Sequence, residues 1–244
     1  MIKRILVVGG ANGIGLSIAT ELAKRDSVDK VYIVDKAPLL AEYNNPKFAA
    51  YQFDLTSEDY SFFDRFTDIN ALMITAGFGK LALFKDVSES YIINSFNVNT
   101  IPVLRLVHRF YDKLKSQEDF YCGVMVSIAG FMSSPFFAVY GATKAALKIF
   151  IESVNVELEK TGSSNRILNI SPGSIKGTSF NSGKTDLNIT KDLAKQIVSH
   201  LETKDDLFIP QYETVFKEVL ERYQKDFRAE GLHSYDYKKS SGRI

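Results

Sequence analysis

The sequence predicts a doubly wound α/β fold of three layers, a parallel sheet of about seven strands covered by helices on both faces. Three observations carry that prediction. Short apolar runs rich in β-branched residues alternate with longer segments of helical periodicity, the pattern of repeated βαβ units. The first run leads through a glycine-rich turn, Gly9-Gly10-Ala11-Asn12-Gly13-Ile14-Gly15, directly into a helix, and an acid, Asp35, closes the next run twenty residues past Gly15. Asp54, Gly77, Ser127 and Pro172 also fall just past predicted strand ends, which in open parallel sheets is the edge where ligands bind.

The 244 residues read as one domain, 1–244. A net charge of +1, with 24% charged residues interspersed along the chain, gives no field for nucleic acid or an anionic membrane. Lys238, Lys239 and Arg243 are expected to be solvated surface. The single cysteine, Cys122, excludes an internal disulfide framework and fits a reducing compartment. Lys3 and Arg4 mimic the start of a signal peptide, but the apolar run breaks at Gly9 and Gly10, and no stretch approaches the roughly 18 apolar residues of a membrane span. The expectation is a cytoplasmic protein with no nucleic-acid or membrane partner.

Arg4 to Val8 is a short apolar run suited to a strand buried on both faces. The helix after the turn keeps Leu16, Ala19, Leu22 and Ala23 at helical spacing. Glycines permit backbone dihedrals that other residues resist and let main chain approach a phosphate, while the helix N-terminus offers unpaired N–H groups to a pyrophosphate. An ordinary strand-to-helix connection is the plain alternative. Strand, turn, helix and distal acid together point to a dinucleotide. Val31 to Val34 is the second strand, and Asp35 at its end is placed to accept both adenosine ribose hydroxyls and to repel a 2′-phosphate. NAD is favoured on that ground. NADP stays open because Lys36 could point to the same place.

Residues 37–48 read as a loop and Ala49 to Phe53 as the third strand, followed by Asp54 and Leu55. Asp54 could accept the adenine amino group; equally, Thr56 or Ser57 could cap a helix ahead of Glu58. The fourth strand, Ala71 to Thr75, runs into Ala76 and Gly77, small enough for backbone to lie against a flat ligand. Ser88 to Lys115 is a long helical pattern in which Pro102 removes a hydrogen bond, predicting a distortion near Asn99. The alternative for Asn99 is a solvated helix face. Val124 to Ser127 is the fifth strand, and the loop from Ala129 to Phe137 carries Phe131, Met132, Phe136 and Phe137. Val139 to Lys160 is a helix, and Ile167 to Ile170 is the sixth strand, ending in Ser171-Pro172-Gly173-Ser174-Ile175. Polar residues from Thr178 to Ile189, within a substrate-loop region taken as 178–202, read as a lid whose Phe180 could close over substrate, or as a plain surface loop. Thr190 is expected to cap a helix to Leu201. Leu207 to Ile209 is the seventh strand, Tyr212 to Arg228 the last helix, and 229–244 a polar tail without a readable pattern.

The stretch with most chemistry is Ser127 to Lys144. Tyr140 and Lys144, four apart, leave one face of a helix. Five tyrosines in this chain have a lysine four residues later, Tyr32, Tyr43, Tyr111, Tyr140 and Tyr235, so the pair alone says little. Only Tyr140 also has a serine thirteen residues upstream, and that serine, Ser127, closes the apolar run Val124 to Val126.

From about Ile2 to Thr178 these motifs resemble the short-chain dehydrogenase/reductase superfamily. The segment Val8 to Gly15, with Gly9, Asn12, Gly13, Ile14 and Gly15, looks like its cofactor loop. Asp35 matches its ribose position, and Asp54 with Leu55 its adenine position. Ala76 and Gly77 match the small residues beside the cofactor, and Pro172-Gly173-Ser174-Ile175 the segment facing the nicotinamide, with Thr178 after it a further candidate cofactor contact. Asn99, Ser127, Tyr140 and Lys144 match the catalytic tetrad. The resemblance implies a three-layer Rossmann fold, hydride transfer between NAD or NADP and an alcohol or carbonyl, and a homodimer or homotetramer built on the long helices ending near Lys115 and Lys160. It also implies that Lys144 holds the nicotinamide ribose together with Tyr140. The sequence departs from the family pattern at Val8, where threonine is common, and at Ile74 and Thr75, where two asparagines are usual. Gly177 stands in a usual threonine position with Thr178 one residue late, and a helix replaces the common glycine-rich C-terminus.

The implied chemistry makes Tyr140 the general acid/base. A free phenol has a pKa of about 10, and a nearby ammonium such as Lys144 is expected to lower it by roughly 1 to 3 units. Ser127 would hydrogen-bond the reacting oxygen, and Asn99 would connect Lys144 to solvent through water. The substrate is expected to be a small, partly apolar alcohol or carbonyl, with Phe78, Phe131, Met132, Phe136, Phe137 and Phe180 as candidate pocket residues. Two other classes remain: a non-catalytic NAD(P)-binding regulator, and a redox-neutral epimerase or dehydratase sharing the tyrosine and lysine.

Overall fold

The computed structural model describes residues 1–178, 180 and 183–241. Its strands are β1 (Arg4–Val8), β2 (Lys30–Asp35), β3 (Phe48–Gln52), β4 (Ala71–Ile74), β5 (Tyr121–Met125), β6 (Ile167–Ile170) and β7 (Leu207–Phe208). All run parallel in one sheet, in the order β3-β2-β1-β4-β5-β6-β7. The chain moves outward from β1 to β3 and then returns to build the other half from β4. Strand order therefore reverses between β1 and β4, where Val8 faces both Val34 and Ile74 in register, and a crevice opens there beyond the strand C-termini.

Helices cover both faces of the sheet. On one side lie α1 (Gly13–Ala23) and α6 (Leu187–Thr203), whose Ile18, Leu22, Ala194, Ile197 and Leu201 are buried with Ile5, Val7, Met73 and Ile170 of the strands. On the other lie α2 (Glu89–Asn99), α3 (Ile101–Arg109), α4 (Tyr111–Leu114) and α5 (Ala138–Lys160). Val103, Leu106, Leu147, Ile151 and Leu158 pack there on Leu6, Leu72 and Val124. Two further helices, α7 (Lys217–Lys225) and α8 (Phe227–Ser240), close the described chain, with a π-helical turn, Tyr212–Phe216, leading into α7.

The differences from the sequence reading have local causes. The fifth strand lies earlier than the expected 124–127, because pairing with β4 and β6 begins at Tyr121 and Cys122. Gly123, which interrupts that strand's apolar pattern, is where the Met73 side chain packs, 2.7 Å from the place a Cβ would take. The long pattern from 88 to 115 is three helices. Pro102 sits in the first turn of α3, and Val103 N–H, which an unbroken helix would give to Asn99, donates to the Thr100 carbonyl at 3.1 Å. Asp186, and not Thr190, caps α6, accepting from Asn188 N–H at 2.9 Å; Thr190 is buried inside the helix. No helix begins at Thr56 or Ser57: Asp54 instead closes a turn, accepting from both the N–H and the hydroxyl of Thr56. The tail beyond residue 228 is largely helical: Asp226 accepts from Arg228 and Ala229 N–H at 3.0 Å and starts α8. Lys238 is buried and not solvated surface, and Arg243 lies outside the described residues.

Candidate active site

The glycine turn sits at the crevice and is built for close approach. Gly9 has φ +86°, and a Cβ there would run into the backbone nitrogen of Ala76, so main chain from two strand ends touches at this point. Thr75 locks the contact, its hydroxyl donating to the Val8 and Gly9 carbonyls at 3.1 and 2.9 Å. Asn12 is the N-cap of α1, and its carbonyl accepts from Leu16 N–H at 3.1 Å. Gly13, Ile14 and Gly15 form the first turn of α1, where N–H groups and the helix dipole favour an anion. Gly13 N–H donates to the Thr185 hydroxyl at 2.9 Å, and Thr178 packs against the same glycine.

At the end of β2, Asp35 spans the crevice. One carboxylate oxygen accepts from Ala11 N–H and the other from Ala37 N–H, both at 3.0 Å. Lys36 turns away to Asp54, 2.8 Å off. The Lys36 ammonium, followed by the Thr56 amide and hydroxyl, holds the Asp54 carboxyl down to about 2. Leu55, next in sequence, packs at the edge of the core and its carbonyl accepts from the Tyr60 hydroxyl at 2.7 Å.

Tyr140 and Lys144 share one face of α5, which carries them beneath the ends of β4 and β5. Both are buried, at 9% and 3% exposure. Burial pushes the Tyr140 phenol up to about 12, against an opposing hydrogen bond with Ser127. Burial likewise pulls the Lys144 ammonium down to about 8. Lys144 Nζ donates to the Met125 carbonyl at 2.9 Å and lies 5.6 Å from the centre of the Tyr140 ring. Ser127 lies two residues past β5, its hydroxyl accepting from Ala129 N–H at 3.2 Å and donating to the Pro172 carbonyl at 3.4 Å. The expected lowering of the phenol by Lys144 is absent: desolvation raises it, and only the Ser127 hydrogen bond opposes.

Asn99, at the end of α2, is fully buried and clamps the backbone after Ala76 and Gly77. Its Oδ1 accepts from Phe78 N–H at 2.9 Å and its Nδ2 donates to the Phe78 carbonyl at 2.8 Å. A Cβ on Gly77 would stand 3.3 Å from Asn99 Oδ1 and 3.4 Å from Lys144 Nζ, so the glycine lets strand end, amide and ammonium meet. Pro172 and Gly173 follow β6. A Cβ on Gly173 would fall 2.6 Å from the Phe216 ring. The left-handed turn at Gly177, φ +75°, carries the chain to Thr178, whose hydroxyl donates to the Ile175 carbonyl at 3.2 Å.

Of the proposed lid, Ser179, Asn181 and Ser182 lie outside the described residues. The Phe180 ring lies 5.2 Å from Tyr140 and 6.2 Å from Phe137, and Phe137 lies 5.3 Å from Tyr140. Three neighbours of the site were not singled out in the sequence. Thr143 is fully buried, receives Asn99 Nδ2 at 3.3 Å and donates to the Tyr140 carbonyl at 2.7 Å; its place beside Lys144 on a buried helix face was the available signal. Tyr91 accepts from Lys80 N–H at 2.8 Å and packs edge-on against Phe78 at 5.7 Å. Thr185 had no signal, because a long-range backbone contact brings it to Gly13. Among the described residues there is no cluster of His, Cys, Asp or Glu able to hold a metal, and no helix long and apolar enough to cross a membrane.

The sequence model for short chain dehydrogenases matches residues 3–188. An uncharacterized oxidoreductase of Saccharomyces cerevisiae is 28% identical over 193 residues, covering 72% of this chain and 60% of its own. Dehydrogenase RED2 of Cochliobolus heterostrophus is 28% identical over 170 residues, covering 67% of this chain and 63% of its own. The chain thus spans about three fifths of the length of these curated relatives. Among solved structures, a short chain dehydrogenase/reductase from Burkholderia phymatum in complex with NAD has TM-score 0.78 at 15% identity, covering 93% of this chain and 95% of that one. A short chain dehydrogenase from Burkholderia cenocepacia in complex with NADP has TM-score 0.78 at 20% identity, covering 95% and 97%. Those likenesses show the fold, and the match over most of the sequence shows the lineage: the chain belongs to the short chain dehydrogenase family.

Proposed function

We infer that this chain is a nicotinamide-dependent oxidoreductase acting on an alcohol or carbonyl, with Tyr140 as its general acid/base. The observation that carries the reading is the convergence of Ser127, Tyr140 and Lys144 at the sheet edge that also holds the glycine turn and Asp35. The names of the relatives, oxidoreductases and a dehydrogenase, and the complexes of the two Burkholderia proteins with NAD and NADP support it.

The residues fit such a cofactor. Gly9 leaves a cradle that a Cβ would fill, and the first turn of α1 with Asn12, Gly13, Ile14 and Gly15 would receive the pyrophosphate. Asp35 would hold the adenosine ribose, since each carboxylate oxygen accepts one N–H and keeps a further lone pair. Asp54 and Leu55 would border the adenine, Ala76 and Gly77 the middle of the ligand, and Pro172, Gly173, Ile175 and Thr178 the nicotinamide. Tyr140 and Lys144 would hold the adjoining ribose. NAD is favoured over NADP, because Asp35 repels a 2′-phosphate and Lys36 is engaged by Asp54.

When bound, the cofactor supplies or accepts the hydride. The chain's own residues manage the proton and the oxygen. A phenol raised to about 12 keeps its proton near neutral pH, so Tyr140 is poised to give it to a carbonyl oxygen as the hydride reaches the carbonyl carbon; alcohol oxidation returns the same proton to Tyr140. Ser127 fixes the direction of that oxygen. Lys144, still charged below about 8, stabilises the phenolate left behind. Asn99 acts by holding Phe78 and Thr143 beside these groups.

The test is turnover of a panel of ketones and aldehydes with NADH and with NADPH. Oxidation of either cofactor dependent on an added carbonyl supports the reading, and none with any member of the panel contradicts it.

A further inference from the structure

The C-terminal helix α8 reaches the candidate active site from outside the segment that matches the family. Besides packing on α7, where Glu230 pairs with Arg222, it meets the loop that precedes α5. Lys238 is 8% exposed, and its Nζ donates to the Ser134 hydroxyl and to the Pro135 carbonyl, each at 2.8 Å. Tyr235, one turn earlier on α8, stacks on Phe136 with ring centres 4.6 Å apart. Gly231 lets the helix close on Ser133, 3.2 Å from where its Cβ would be, and the Ser133 hydroxyl donates to the Phe227 carbonyl at 3.4 Å.

The loop held in this way is strained. Phe136 has φ +68°, a left-handed conformation that a bulky side chain resists, and it is buried. Such a conformation persists where surrounding contacts over-determine it. Here those contacts are the Tyr235 stack and the Phe136 carbonyl, which accepts from Ala82 N–H at 3.0 Å. The strain has a direction. It sets Phe137, the N-cap of α5, against the Tyr140 ring at 5.3 Å, with Lys238 Nζ 5.6 Å from the centre of the Phe137 ring. A chain of contacts therefore runs from Lys238 through Ser134 and Pro135 to Phe137 and Tyr140.

Phe180 completes the lining. Its ring is tilted by 54° against that of Tyr140, 5.2 Å away, and a Cβ on Gly79 would meet it at 2.7 Å. Phe137, Tyr140 and Phe180 thus form one aromatic cluster, against which a flat apolar group beside Tyr140 would pack.

We propose that Lys238 is a positioning residue which fixes the loop before α5 so that Phe137 backs Tyr140, and that this wall selects a carbonyl substrate carrying a flat apolar group. The proposal rests on the oxidoreductase reading above for its substrate, and on the α8 contacts for its residue.

The experiment compares acetophenone with acetone in the full chain, using the preferred nicotinamide cofactor, for wild type, Lys238→Met, Lys238→Arg and the exposed control Asp236→Asn. Lys238→Met is expected to reduce the acetophenone-to-acetone ratio of kcat/KM by about tenfold, the low end of what a hydrophobic pocket discriminates. Lys238→Arg, which keeps charge and donors, restores most of it, and Asp236→Asn leaves it unchanged. An equal ratio in wild type and Lys238→Met overturns the proposal. Should Lys238→Met fail to fold, Ser134→Ala and Tyr235→Leu remove the same contacts one at a time and are read in the same way. Ligand-observed NMR of acetophenone binding, which needs no turnover, separates the two claims. If wild type reduces no carbonyl of the wider panel but binds acetophenone, and Lys238→Met binds it about tenfold more weakly, the oxidoreductase reading falls and the role of Lys238 stands. If wild type does not bind acetophenone, or the variant binds it equally well, the proposal falls.

Discussion

Lys144 Nζ lies 5.6 Å from the centre of the Tyr140 ring and donates to the Met125 carbonyl at 2.9 Å. Both side chains are buried, and burial drives each toward its neutral form, the phenol up to about 12 and the ammonium down to about 8. Near pH 7 the phenol therefore holds its proton while the lysine is still charged. On the proposed reading that combination would offer an acid to a carbonyl oxygen beside a cation able to stabilise the resulting phenolate, so reduction is the direction to assay first.

The same burial gives stability a pH dependence. Lys144 has a folded pKa below its ordinary 10.5, so between about 8 and 10.5 the unfolded chain binds a proton the folded chain has released, and stability rises with pH across that window. Tyr140 and Cys122, raised from 10.0 and 9.0 to about 12, keep protons the unfolded chain loses and lower stability above those ordinary values. Lys144→Met removes only the first effect. Relative to that variant, wild type is expected to gain about 4–7 °C in Tm between about pH 7.5 and pH 9.5. A difference constant with pH would contradict the buried, depressed lysine.

Asp35, proposed above to set cofactor choice, also holds the glycine turn, its carboxylate accepting from Ala11 N–H. Asp35→Ser is expected to narrow the preference for NAD over NADP by about tenfold or more, through loss of the charge that repels a 2′-phosphate. Dissociation constants for both cofactors, from protein fluorescence, check it. An unchanged ratio shows that another group sets the choice.

Gly9→Ala places a methyl group against the Ala76 backbone at φ +86°. The expected cost is about 1–3 kcal/mol of stability, from the strained conformation alone, with cofactor affinity falling as the turn shifts. Thermal unfolding with and without NAD measures both. A stable variant with normal affinity would mean that the turn is not a close-contact cradle.

Most of what positions this site can be read from the chain. Val8 to Gly15, the acid at Asp35 and the triple of Ser127, Tyr140 and Lys144 are local patterns whose residue types have few other uses in combination. The distortion at Asn99 follows from Pro102, because a missing N–H acts within one turn. What stays hidden is set by tertiary contact. α8 carries Lys238, Lys239, Arg228 and Glu230 with little apolar periodicity, and it is held by Lys238, Tyr235 and Gly231 meeting a loop some hundred residues earlier. The direction of the Tyr140 shift was hidden for the same reason: the Tyr140–Lys144 spacing suggests an ion-assisted phenol, while burial, a property of the whole fold, decides the outcome.

The most direct test of the central claim is single-turnover reduction of an active carbonyl by Tyr140→Phe, with cofactor affinity measured on the same sample. Loss of about 10²- to 10⁴-fold in rate with the dissociation constant of the cofactor unchanged is the result expected of a general acid. Near-normal turnover in Tyr140→Phe would contradict the assignment and remove Tyr140 from the chemistry.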